Sequence, residues 1–415
     1  MAENGGKNAK VFVIGGGPAG LMAAIQSARE VRKVKLLERG PETARKLLLT
    51  GEGRCNLTST LRPSEVIEQV FTGASFLYSA LYQFTPEDTR RFFEDRGLKL
   101  KKERGRRLYP ASDRAEDVKR ILLEEAERQG VEILTGVEVK EIITSGQEVR
   151  GVKIKGGRVL PARAAVLATG GKSYPGTGSD GSGYQLAVRL GHKLAEPELA
   201  LVPLKVKENW TKEAAGLKLK NVELSLFYRE SKIFSSCGEF IIEENKITGA
   251  EALRLSCHIT GPDYHNYRIL VDLKPALTRE KLEKRLQRDF DRYSNKHFKN
   301  ALGDLLPAYL RPVVVRKSGI RPERVCHQIT AGERESLVRL LKGLELNVTG
   351  KGSENEAIIT AGGIAAADIN PGTMESRIVR GLYCAGEVLE PAAYTGGHNL
   401  QIAFSTGYLA GSQIN

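Results

Sequence analysis

Residues 10–38 read KVFVIGGGPAGLMAAIQSAREVRKVKLLE. Lys10–Ile14 is a compact β-branched run that ends in Gly15-Gly16-Gly17-Pro18-Ala19-Gly20, the pattern of a strand followed by a glycine turn. Leu21–Glu30 is rich in helix formers and predicts a helix. Val34–Leu37 predicts a second strand, closing on Glu38. Together they make a strand–turn–helix–strand unit of about thirty residues, the βαβ mononucleotide fold. Each glycine of Gly15-x-Gly17-x-x-Gly20 has a physical task. The first makes the tight turn, the second lets the backbone approach a pyrophosphate, and the third lets the helix pack close to the strand. The helix N-terminus then faces the phosphates with free N–H groups and the positive end of its dipole. Glu38 is placed to accept from both ribose hydroxyls. An acid there disfavours a 2′-phosphate, so the expected ligand is FAD or NAD rather than NADP.

Outward from this unit, residues 64–95 carry apolar residues at helix-like spacing and predict helix. Glu116–Gln129 predicts an amphipathic helix with Val118, Ile121, Leu122 and Ala126 on one face and Gly130 as its stop. Val131–Leu134, Val137–Ile143, Val149–Ile154 and Ala164–Ala168 predict short strands. From about 195 to 355 the texture changes. Strand-like runs such as Val222–Tyr228 and Phe240–Ile242 come first, a charged helical stretch covers 278–310, and strands return over 344–360. The last part is again glycine-rich, with a strand–turn–helix pattern that ends in an apolar helix over Ile402–Gly411. The expected organisation is a dinucleotide domain from 1–195 plus 356–415, a β-rich insertion from 196–265 plus 320–355, and a helical subdomain over 266–319.

Composition narrows the function. The 415 residues, 41% hydrophobic and 27% charged, are ordinary for a globular chain. Apolar runs such as Leu199–Leu204 are too short to span a bilayer. The N-terminal MAENGGKNAK has no signal-peptide core, so it reads as a short tail on a cytoplasmic protein. Five scattered cysteines form no C-x-x-C pair, which argues against disulfides, zinc and a dithiol reductase. The histidines show no metal spacing, and no metal is expected. The net charge of +13 raises nucleic acid as a partner. The basic residues, however, are interleaved with acids, the densest patch (Lys101–Arg107) is short, and no aromatic-basic interleaving is seen. A solvated face is the expectation, with attraction of an anionic substrate or of a cofactor phosphate as the functional alternative and nucleic acid disfavoured. No feature specifies an oligomeric state.

Three further stretches carry chemistry. Thr50-Gly51-Glu52-Gly53-Arg54-Cys55-Asn56, preceded by Arg45-Lys46, combines glycines for close approach with donors for anionic or carbonyl oxygens. Ala168-Thr169-Gly170-Gly171-Lys172-Ser173-Tyr174 closes a strand and continues into a glycine-dense loop through Gly181, the mark of a backbone pressed against a ligand. Gly386-Glu387 and Tyr394-Thr395-Gly396-Gly397-His398-Asn399-Leu400 precede the last helix. Free N–H groups there suit the N1–C2=O edge of a flavin. The unperturbed pKa of a histidine lies near neutrality, so His398 is the first candidate proton donor, with Tyr394 and Tyr174 as alternatives for polarising a substrate carbonyl.

These blocks, together with ITAGGIAAADINPGTMESR and TGGHNLQIAFSTGYLAG, resemble the bacterial flavoprotein family that includes the aminoacetone oxidase-like proteins and the bile-acid-inducible flavin reductases. The resemblance covers nearly the whole chain. It implies an α/β fold with a Rossmann-like, glutathione-reductase-type FAD domain, a β-rich inserted domain and a helical subdomain. It implies FAD contacts at Gly15, Gly17, Ala19, Gly20, Glu38, Arg39, Lys46, Arg54, Cys55, Asn56, Val139, Thr169, Gly170, Gly386, Glu387, Gly397, Asn399 and Leu400. Two positions depart from the family pattern: Glu52 replaces a glycine and His398 replaces a tyrosine. In addition, Glu390-Pro391-Ala392-Ala393 stands where an acidic, glycine-containing run is usual. The resemblance implies a reductase in which NAD(P)H reduces FAD and flavin N5 passes hydride to a C=C bond conjugated with the ketone of a 3-oxo bile acid or steroid. The alternative it implies is an oxidase of a small amine or amino ketone that forms peroxide. An RNA-associated flavoprotein is a third, remote class. The preferred substrate is apolar, and the excess positive charge favours one that also carries an anionic group.

Overall fold

In the computed structural model, residues 10–31 and 33–414 are described; the expected N-terminal tail lies largely outside them. Strand Lys10–Ile14 is buried beyond its first residue. It pairs in parallel with Lys33–Glu38 on one side and Ala164–Leu167 on the other. Leu382–Cys384 and Glu132–Thr135 extend the sheet at its two edges, giving five parallel strands with Lys10–Ile14 at the centre. Central strands covered on both faces need near-continuous apolar runs, which explains VFVI and AAVL.

The first helix spans Pro18–Glu30, three residues earlier than Leu21. Proline at the first helical position has no N–H to leave unsatisfied, and its fixed φ suits the turn. This helix packs on the amphipathic helix Ala115–Arg128 and on the C-terminal helix His398–Ser412. The last contact is close because its residues are small. A Cβ on Gly407 would lie 2.4 Å from the Ala19 carbonyl oxygen, and one on Gly411 would lie 2.5 Å from that of Ala23.

The expected helix over 64–95 is broken into pieces: helix Pro63–Ile67, strand Val70–Thr72, a 3-10 turn at Ala74–Leu77, and helices Tyr78–Gln83 and Pro86–Glu94. Gly73, at φ +68°, ends the strand, and Thr85 caps the last helix by accepting from the Asp88 N–H at 3.1 Å. The strand itself exists because it pairs with Ala392–Ala393, far along the chain. The basic patch around Lys101–Arg107 belongs to a hairpin, Leu100–Glu103 with Arg107–Pro110, extended by Thr58–Ser59.

The chain divides into two compact units, Met1–Ala200 with Glu354–Asn415, and Leu201–Ser353. The second is built on a closed six-stranded antiparallel barrel, in the order Leu204–Val206, Lys246–Thr248, Ser231–Glu243, Lys218–Tyr228, Tyr267–Asp272 and Leu344–Lys351. Leu224, Leu226, Phe240, Ile269 and Val271 fill its core. Helices Arg279–Arg292, Arg311–Lys317 and Ala331–Lys342 bury Leu282, Leu286, Val314 and Leu337 in that same core. No helix among the described residues is long and apolar enough to cross a membrane.

Candidate functional site

The glycine turn separates packing from binding. Gly15 has φ +105°, and a Cβ there would sit 2.5 Å from the Ala168 carbonyl oxygen. A Cβ on Gly20 would lie 1.9 Å from the Gly15 carbonyl oxygen. Both glycines are required by the protein's own contacts. Gly17 is not, since its φ is −77° and nothing lies within 4 Å of its absent Cβ. The cleared space lies at the N-terminus of the first helix, before Pro18 and Ala19, where unpaired N–H groups collect. A pyrophosphate fits that cradle. Glu38 accepts from the Gly16 N–H at 2.8 Å and from the Gly40 N–H at 2.6 Å, one on each oxygen. Each carboxylate oxygen keeps a further lone pair for a ribose hydroxyl.

Val137 donates its N–H to the Glu38 carbonyl at 2.9 Å, which ties the approach to Val139 to the end of the second strand. Val139 opens the strand Val139–Ser145, the second strand after the amphipathic helix. Arg39 donates to Asp180 at 2.8 Å and to the Gly178 carbonyl at 2.7 Å, tying the glycine-dense loop to the end of the second strand. Burial works against the Asp180 charge, but Arg39 and the Ser182 N–H outweigh it and hold the carboxyl below its usual range.

A second constellation joins three distant stretches. Lys46 Nζ donates to both oxygens of Glu387, at 2.7 and 2.9 Å, and to Ser173 Oγ at 2.5 Å. Glu387 also accepts from the Thr360 N–H at 2.9 Å. Lys46 is therefore neutralised inside the protein and holds Glu387 in place. Thr169 packs its hydroxyl over Gly183, where a Cβ would come within 1.8 Å. Gly170 has φ +75° and lies against Ser179. The hydroxyls of Thr169 and Ser179 are buried with no hydrogen-bond partner among the described residues. Orphaned polar atoms beside a glycine-lined loop fit a polar ligand.

The third part is the N-terminus of the C-terminal helix. Gly396 and Gly397 take φ +137° and +84°. A Cβ on Gly397 would strike the Thr58 backbone at 2.8 Å. With its amide turned to suit its neighbours, Asn56 accepts from the Gly397 N–H at 3.0 Å and donates to the Thr58 carbonyl at 3.3 Å. Asn399 exchanges two bonds with the Ala393 backbone, at 2.9 and 2.7 Å. Asn399 and Leu400 stand in the first turn of that helix, where backbone N–H groups are left without intrahelical partners. Gly386 donates to Thr406 Oγ1 at 2.9 Å and sits so close to Ala19 that a Cβ would be 2.6 Å from it.

His398 is buried, its ring stacked over Gly396, where a Cβ would lie 2.4 Å from Nε2. Tyr394 is also buried, with its ring centroid 5.2 Å from that of Phe71. The two candidate donors belong to one turn. Tyr174 belongs to the loop after Ala168, at φ +56°, with its N–H on the Glu354 carbonyl. Arg54 is engaged elsewhere: it pairs with Glu103 at 2.9 Å and Asp113 at 3.4 Å, and lies 4.4 Å over the Tyr109 ring. Cys55 is fully buried, and burial pushes its thiol up to about 12. It is a packed side chain, not a nucleophile. No group of three or more His, Cys, Asp or Glu among the described residues is placed to hold a metal. Ser173, Thr360 and Phe71, which contact Lys46, Glu387 and Tyr394 respectively, are residues that sequence reasoning did not single out. Thr360 and Ser173 lay inside quoted blocks, whereas Phe71 had no sequence signal.

Residues 9–413 match the family described as HI0933-like protein Rossmann domain. The chain is 34% identical over 407 residues to the 3-dehydro-bile acid delta(4,6)-reductase of Clostridium scindens, a match covering 97% of this chain and 98% of that protein. It is 27% identical over 407 residues to the ribosomal RNA dihydrouridine synthase of Haemophilus influenzae, again covering 97% and 98%. Among solved structures, a quinol-fumarate reductase with menaquinol molecules has a TM-score of 0.52 at 16% identity, covering 98% of this chain and 70% of that one. That likeness is one of fold.

Proposed function

The chain belongs to the HI0933-like Rossmann family and is an FAD-dependent oxidoreductase, and from that premise we propose that it reduces a C=C bond conjugated with a carbonyl, in a 3-oxo bile acid or steroid. What carries this is one observation: two buried donors, His398 and Tyr394, share the turn before the C-terminal helix, in a chain that matches a bile-acid reductase end to end.

The space at Gly17 and the first-helix N–H groups would hold the pyrophosphate of FAD, and Glu38 the ribose. The Asn399 and Leu400 N–H groups would face the flavin ring. FAD, when bound and reduced, supplies the hydride, and NAD(P)H is the proposed source of its electrons. Tyr394 donates its O–H to the substrate carbonyl oxygen and stabilises the charge that develops there. His398 delivers a proton to the α-carbon, so that a hydride and a proton together saturate the bond. Burial of both side chains excludes water and strengthens these contacts. Tyr174 is the alternative carbonyl donor.

A second substrate class keeps the reaction. The relatives that form dihydrouridine in ribosomal RNA act on a uracil C=C bond that is also conjugated with a carbonyl.

Anaerobic stopped-flow spectroscopy of the yellow protein tests the proposal. Bleaching by NADH or NADPH, with colour returning on adding a 3-oxo-Δ4 steroid, is expected. Bleaching only by aminoacetone or another small amine, with colour returning in air, would replace the reductase by an oxidase.

A further inference from the structure

The excess positive charge is not spread evenly over the fold. Residues 279–324 carry thirteen Lys or Arg against six Asp or Glu, a net +7 out of the chain's +13. This stretch forms helical structure on the barrel unit, and an open groove of about 760 Å³ runs through it. Lys299, Arg311, Arg316 and Arg321 line the groove, no acidic residue does, and Pro312 and Val315 supply apolar wall. Arg311 is fixed there by bonds to the carbonyls of Leu306 and Gly303, at 2.9 and 3.2 Å. Lys299 and Arg316 have only exposed partners, Glu323 at 3.5 Å and Glu213 at 2.9 Å. Such pairs contribute little and exchange readily for another anion. The Arg321 side chain makes no hydrogen bond or ion pair among the described residues.

Tyr309 stands next in the chain to the groove-lining Ala308 and is 66% exposed. A large aromatic ring left in water one residue from the groove wall is what the sequence pattern alone did not reveal. Cations along an open groove neutralise successive phosphates, and an exposed aromatic ring offers a stacking face to an unpaired base. A membrane surface would call for a flat amphipathic face with several apolar anchors, which a concave groove with one tyrosine does not provide.

We infer that this groove binds a single-stranded nucleic acid, with Lys299, Arg316 and Arg321 on the phosphodiester backbone and a base stacked on Tyr309. The inference concerns binding alone and stands whichever conjugated bond the flavin site reduces.

Fluorescence anisotropy of the flavin-loaded, full-length protein with a labelled single-stranded RNA of about twelve nucleotides, and with DNA of the same sequence, tests it. Binding in 50 mM salt that weakens roughly twentyfold in 200 mM salt is expected for three phosphate contacts. The R316A/R321A pair should weaken binding and flatten the salt dependence, and Tyr309→Ala should weaken it about tenfold with the salt slope kept. Lys232→Ala, on the barrel strand, should leave it unchanged. Binding of RNA alone, or of both oligonucleotides, supports the groove and identifies its source of phosphate. Absence of binding in 50 mM salt, binding that none of the groove substitutions alters, or capture by anionic phospholipid vesicles in place of either oligonucleotide would overturn it.

Discussion

At the scale of the residue, three glycines of one motif have three different reasons to be glycine, and substitution separates them. Gly17→Ala puts a methyl into open space at an ordinary φ. The apoprotein should therefore be slightly more stable, by about 0.5 kcal/mol, yet the purified protein should lose its FAD. Gly20→Ala drives a methyl into the Gly15 carbonyl and should cost about 3 kcal/mol in a thermal melt, cofactor or not. The Lys46–Glu387 pair makes a similar contrast. Lys46→Met leaves a carboxylate without its cation and should weaken FAD retention about tenfold. Adding Glu387→Gln should recover part of that loss in a flavin-fluorescence titration. The motif's glycines and Glu38 were legible because each obeys a local rule of chain geometry. Lys46 stood out in its block by type alone, and its pairing with Glu387 was not legible, because 341 residues separate them. Arg54 was legible as a donor after two glycines, whereas its pairing with Glu103 and Asp113, 49 and 59 residues along the chain, has no local signal.

At the scale of the element, the sequence spoke clearly where periodicity and caps agree. Ala115–Arg128 lies within one residue of its expected bounds at either end. Its polar face hides a feature that periodicity does not encode: Glu125 is buried and meets Arg96 at 3.0 Å and Arg128 at 2.7 Å, with Arg29 at 3.4 Å. Burial disfavours its charge, but the bonds from Arg128, Arg96 and Gln129 win and hold its pKa well below the usual carboxylate range. A depressed carboxylate stabilises the fold fully above its unfolded pKa of roughly 4.3, and that contribution is lost progressively as the pH falls from there through the lower folded value. Glu125→Ala should therefore cost about 1.5 kcal/mol at pH 7, because the half-buried Arg96 loses its carboxylate while the more exposed Arg29 and Arg128 turn to water. The difference from wild type should shrink in melts below pH 4. The stretch over 64–95 was misread because strand Val70–Thr72 owes its existence to Ala392–Ala393, a pairing that no local pattern contains. The same pairing sets Phe71 beside Tyr394, so the missed element and the missed neighbour of a candidate donor have one cause.

At the scale of the whole molecule, the barrel unit is an insertion with its own core and its own closed sheet. Its ends meet each other: Gly352 donates to the Pro203 carbonyl at 2.8 Å. On the flavin side, Ala200 pairs with Ile359 across two antiparallel strands. Replacing residues 201–353 by a short Gly-Ser linker should therefore leave a folded, yellow protein. Absorbance of the purified variant checks this, and a colourless or aggregated product would show that the two units fold only together. The split flavin domain was legible because glycine-rich strand–turn–helix patterns stand at both ends of the chain. The barrel was legible only as β-rich texture, since closure depends on long-range register. The central claim is that this flavoprotein saturates a carbonyl-conjugated C=C bond. The most direct measurement photoreduces the protein under argon, adds a 3-oxo-Δ4 bile acid, and follows flavin absorbance alongside the mass of the steroid. The account predicts return of the oxidised-flavin spectrum in step with a product gaining two hydrogens per flavin. A spectrum that stays bleached until air is admitted, with the steroid unchanged, would contradict it.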